Sequence, residues 1–150
     1  MKIRCDYVTN SSSSSFILGF KDKKSVMLTL EAAKSTILSD GFVSASEKDY
    51  ERLVKDCKKK GKGIEAVLKE AEWEFEDRAG WKNYLANEDH SNCWPDMEKN
   101  KEDAKKSIDE FREKAKDNTY FVYVEYDDHE TALDYTLRET PFTLEYFSHH

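Results

Sequence analysis

Eight residues, Thr119 to Tyr126 (TYFVYVEY), constrain the fold most strongly. β-branched and aromatic side chains dominate the run and suit a pleated, packed surface, so it predicts a strand. Two shorter runs join it: Phe16-Ile17-Leu18-Gly19-Phe20, apolar and flanked by polar clusters, and Phe142 to Phe147 (FTLEYF), following Pro141. Three short candidate strands limit the sheet to a small one, and the sequence between them must be read as helices and connections.

Several of those segments carry a helical period. Val26-Met27-Leu28 reads as a short strand, after which Thr29 caps a helix built on Leu30, Ala33 and Ile37. Ser46 followed by Asp49 resembles a capping box, and Tyr50, Leu53, Val54 and Cys57 then fall at i, i+3, i+4 and i+7 up to Gly61. Ile64, Val67, Leu68, Ala71 and Phe75 predict a further helix to about Arg78, paired with its predecessor as a helical hairpin. From 79 to 97 the period is lost, which predicts a long connection with aromatic anchors. A charged helix over 98–116 follows, and Asp127 with Glu130 resembles a second capping box opening a short helix over 129–138. The expectation is a single α+β domain over 1–150, with a small, mainly antiparallel sheet and helices on one face.

Charge narrows the function classes. The chain has 24 basic and 31 acidic residues, a net charge of −7, which repels polyanions and argues against generic nucleic-acid binding. Lys55, Lys58, Lys59, Lys60 and Lys62 form the one basic cluster, placed where lysines complement the dipole at a helix end. The longest apolar run, residues 16 to 20, is far short of the roughly 20 residues a bilayer-spanning helix needs. The opening residues lack the apolar core of a signal peptide, and the three cysteines, Cys5, Cys57 and Cys93, show no paired spacing. These features lead us to expect a cytoplasmic protein with reduced thiols and no membrane association.

Asn10 and the five serines Ser11 to Ser15 stand directly before the first apolar run. They fit a structured loop whose hydroxyls and N–H groups cap turns or cradle an anion, a modified tag, or a flexible segment. No glycine lies between residues 6 and 18, which weighs against a P-loop type of cradle. The opening MKIRCDYVTNSSSSSF resembles a bacterial protein group that starts with MKIR, an aromatic-Val-Thr-Asn step, five serines and phenylalanine. That resemblance covers about 20 residues. It implies kinship and a bacterial or phage source, but no activity or catalytic residue.

Two functional readings follow. In the favoured one the chain is a non-catalytic protein-interaction domain without a cofactor. Its contact surface combines Asn10, Ser11, Ser12, Ser13, Ser14 and Ser15 with Trp81 and Trp94 of the aromatic connection, since tryptophan serves well as an interface anchor. The alternative is a metal-dependent hydrolase in which His149 and His150, with Asp6 or Asp128, hold a divalent transition metal such as zinc. That reading requires the two ends of the chain to meet. Asp128 also has a simpler role as a helix cap. His90 and Cys93 form an H-x-x-C step without a second ligand pair, and Cys57 falls on an apolar helix face where a thiol is inert. G-x-G-x-x-G, Walker A, H-E-x-x-H, G-x-S-x-G and EF-hand patterns are absent from the sequence.

Overall fold

The computed structural model describes residues 13–86, 97–127 and 129–149. Three strands form one sheet: β1 (Ser13–Phe20), β2 (Tyr120–Asp127) and β3 (Thr143–Ser148), in the order β2-β1-β3. Both neighbours run antiparallel to β1, with Ser13 opposite Asp127 and Ser14 opposite Ser148. The C-terminal ends of β2 and β3 therefore flank the start of β1 at the same end of the sheet.

Every residue of β1 is buried. A strand covered on both faces needs apolar side chains at odd and even positions alike, and the uninterrupted run from Phe16 to Phe20 supplies them. Phe16, Leu18 and Phe20 point to one core with Val122, Val124 and Tyr126, beneath α1 (Ser25–Ser39), α2 (Glu47–Lys59) and α6 (Leu133–Thr136). Ile17 joins Phe121 and Phe147 in a second core on the opposite face, beneath α3 (Ile64–Glu70), α4 (Glu72–Ala86) and α5 (Met97–Lys114). The expected α+β class is observed, but its helices cover both faces of the sheet, because the strands present apolar side chains to both.

Local chemistry accounts for the element boundaries. The strand expected at Val26–Leu28 is instead the first turn of α1. Asp22 Oδ1 accepts hydrogen bonds from Ser25 N and Ser25 Oγ, both at 2.8 Å, which starts the helix four residues before the expected Thr29 cap. Val26 then continues the stripe of Leu30, Ala33 and Ile37, while Leu28 faces solvent. Ser46 Oγ accepts from Asp49 N at 3.2 Å and opens α2 as the sequence predicts.

The helix expected from 64 to about 78 is broken at Ala71 into α3 and α4, and α4 continues to Ala86. Residues 79–86, expected to begin the aromatic connection, are therefore helical. Ala79 and Gly80 are buried there, whereas Trp81 and Tyr84 are only partly covered, so the apolar period fades although the helix persists. The rest of that connection, 87–96, lies outside the described residues.

The second capping box does not form. Asp127 Oδ1 accepts from His129 N at 2.8 Å in a tight turn, and Thr131 Oγ1 accepts from Leu133 N at 3.1 Å to begin the short α6. A turn of 3-10 helix, Leu137–Glu139, leads to β3.

Candidate functional site: a serine–histidine–carboxylate clasp

Beyond Ile17, the second-core face of the sheet changes from apolar to polar. Ser15 and Ser13 continue that face of β1, and Tyr123 and Glu125 continue it on β2, since residues two apart share a side of a strand. His149 follows β3 directly and is pinned by its backbone N–H, which donates to Ser13 O at 3.1 Å. Glu74, on α4 between Trp73 and Phe75, reaches into the same space.

These side chains form one buried network. His149 Nε2 lies 2.9 Å from Glu74 Oε1, and His149 Nδ1 lies 3.0 Å from Glu125 Oε2. Ser13 Oγ is 2.9 Å from Nδ1 and Ser15 Oγ is 3.3 Å from Nε2. Tyr123 donates its hydroxyl to Glu74 Oε2 at 2.6 Å, and the Trp73 indole stacks on the imidazole with centroids 5.9 Å apart. Glu74 and His149 are nearly inaccessible, at 2% and 3% exposure, whereas Glu125 extends to the surface. Burial, and then the hydrogen bond to Glu74, push the Tyr123 phenol well above its ordinary value, so it remains a donor to that carboxylate.

Serine, histidine and glutamate in contact are the components of acyl-transfer chemistry. A catalytic imidazole keeps one nitrogen for the nucleophile and the other for the orienting acid. Here each ring nitrogen faces a carboxylate, an acceptor-only group, and each serine hydroxyl shares its nitrogen with one. Ser13 Oγ lies within hydrogen-bond distance of both His149 Nδ1, at 2.9 Å, and Glu125 Oε2, at 3.4 Å. Glu74 and Glu125 lie on opposite nitrogens of the ring, and among the described residues no group of three or more His, Cys, Asp or Glu side chains converges on one point.

The structure distributes the sequence-derived candidates unevenly. Ser13, Ser14 and Ser15, expected in a loop, form the first three residues of the central strand and are buried. Ser14 points toward the first core, and its hydroxyl has no hydrogen-bond partner among the described residues. Asn10, Ser11 and Ser12 lie outside the described residues, as do Trp94, Asp6, Asp128 and His150. The pairing of first strand with last does bring His149 to the start of β1, and the pairing of β1 with β2 brings Asp127 to the same end of the sheet. Cys57 is buried in the first core, and desolvation pushes its thiol up to about 12, which makes it a poor nucleophile.

Trp81 is partly exposed on α4, with its ring stacked on Tyr84 at 5.2 Å. It lines a cleft of about 310 Å³ together with Arg78, Tyr146 and Ser148. Glu74, Tyr123, Glu125 and Trp73 were not singled out from sequence. Two pairs spaced by two, Ser13/Ser15 and Tyr123/Glu125, with an acid set between aromatics at 73–75, are the available signal. Comparison with protein-family models, curated proteins and solved structures gives no match to this chain.

Proposed function

We propose that this chain is a protein-interaction domain whose contact surface centres on Trp81. The observation that carries this reading is the Trp81–Tyr84 pair, two stacked aromatic rings left partly exposed beside a cleft that Arg78 also lines. Tryptophan, tyrosine and arginine are the residue types that dominate binding energy at protein interfaces. The buried clasp supports the reading indirectly, since it fixes α4 to the sheet and holds the pair on a rigid element.

The test is quantitative capture by the purified full chain, comparing Trp81→Ala with Leu28→Ala, a control on the far face of α1. Loss of a hot-spot tryptophan weakens a bound partner at least about tenfold. A partner retained equally by Trp81→Ala and wild type contradicts the proposal.

A metal-dependent hydrolase remains the second reading, because His149 Nε2 and a Glu74 oxygen lie 2.9 Å apart. Elemental analysis of untagged, chelator-free protein tests it. Near-stoichiometric metal that is lost in His149→Ala favours it, and sub-stoichiometric metal in wild type counts against it.

A further inference from the structure

The two outer strands of the sheet treat their free edges differently. On β3, the outward carbonyls of Leu144 and Tyr146 accept from Lys114 Nζ at 2.6 Å and Arg78 Nη1 at 3.4 Å. Cationic side chains laid across an edge discourage further pairing. On β2, Phe121 exchanges both backbone hydrogen bonds with Lys62, each at 2.9 Å, on the side away from β1. Alternate residues of a strand turn their peptide groups the same way, so those of Tyr123 and Glu125 also face outward. Past them, Asp127 O accepts from Glu130 N and Thr131 N and closes the edge. Between these closures the outward peptide groups of Tyr123 and Glu125 have no backbone partner among the described residues.

A groove of about 600 Å³ runs along this gap, with Lys59, Lys60, Lys62 and Glu125 in its walls. Its charges are mostly committed: Lys62 pairs with Glu70 at 2.7 Å, Lys60 with Asp56 at 3.7 Å, and Glu125 turns to His149 at 3.0 Å. Of these lysines, Lys59 is exposed and has no ion pair among the described residues. On a chain of net charge −7, the uncommitted charge at this groove is cationic.

We propose that the β2 edge at Tyr123–Glu125 receives an extended acidic segment of a protein partner, added to the sheet as a fourth strand with its carboxylates toward Lys59. Strand addition supplies main-chain hydrogen bonds without demanding a particular sequence, and Lys59 selects for negative charge. This site lies on the edge opposite the Trp81 cleft, and the proposal does not depend on that cleft.

The experiment uses the full chain and a blocked seven-residue peptide alternating valine or threonine with glutamate. Further probes are its lysine counterpart and two versions N-methylated on alternate residues. Amide hydrogen exchange is read by NMR. In the free protein the Tyr123 and Glu125 amides exchange faster than those of Val122 and Val124, which face β1. The acidic peptide slows Tyr123 and Glu125 at least about tenfold, and the lysine peptide binds at least about tenfold more weakly. Only one N-methylation parity binds, and Lys59→Glu weakens the acidic peptide without unfolding the chain. Several results overturn the proposal. They are protection of both amides in the free protein, as its own chain or a second copy on the edge would give, no slowing at millimolar peptide, and equal binding of both N-methylated forms.

Discussion

Side-chain parity divides the serines of β1 into two kinds. Ser13 and Ser15 hydrogen-bond to His149, while the fully buried Ser14 hydroxyl has no partner among the described residues. A buried hydroxyl without a partner costs free energy that alanine does not, so Ser14→Ala is expected to be neutral or to stabilise by up to about 1 kcal/mol. Ser13→Ala and Ser15→Ala should each destabilise by about 1 kcal/mol, because each leaves part of the clasp unsatisfied. Urea denaturation of the three variants checks this pattern, and equal losses at all three positions would contradict it. Cys57 gives a second prediction at this scale. Its thiol is raised from 9.0 to about 12, so its contribution to stability is complete below pH 9 and is lost as pH rises through 12, because the unfolded chain releases the proton first. Stability should therefore decline from about pH 9, and the slope between pH 9 and 10 should flatten in Cys57→Ala. The parity of the serines was hidden in the sequence. Five identical residues carry no alternation, and only the partners across the sheet reveal which hydroxyls are used.

At the level of elements, the connection between α2 and α3 depends on a close approach. A Cβ added at Gly61 would overlap the ring of Tyr120, whose hydroxyl donates to Cys57 O at 2.9 Å and so ties the end of α2 to β2. Gly61→Ala is expected to destabilise by about 1–3 kcal/mol, as overpacking does, and Tyr120→Leu should restore part of the loss. Thermal unfolding of the single and double variants measures both effects. The sequence showed Gly61 as a helix stop but not as a seat for a ring. Elsewhere legibility followed the strength of the local pattern. α2, with its Ser46 cap and regular stripe, and β2, with its aromatic and β-branched run, lie within a residue or two of their expected bounds. α1 was misread at its start because Val26-Met27-Leu28 has strand-like composition, whereas Asp22 caps from three residues before Ser25. The far half of α4 was misread because its Trp81 and Tyr84 are not on the buried stripe that a period reports.

In the whole molecule, β1 serves two cores, one through Phe16, Leu18 and Phe20 and the other through Ile17. Neither core closes without the strand they share. Leu18→Ala and Ile17→Ala should each cost about 2–5 kcal/mol, and amides of α1 and α5 should lose protection together in both variants. Separate transitions for the two faces would contradict this coupling. Composition and strand count made the α+β class legible, and the apolar run at 16–20 held the unread sign that both faces would be covered. The clasp was less legible, since it draws on α4, β1, β2 and the residue after β3, which only the fold brings together. The most direct measurement is a double-mutant cycle on Glu74→Ala and His149→Ala, followed by equilibrium urea unfolding of all four proteins. If the pair holds the end of the sheet, each single change is expected to cost about 3–5 kcal/mol by stranding its buried partner, with a coupling of about 1–3 kcal/mol in the double variant. Small losses that add to within about 0.5 kcal/mol would contradict the clasp.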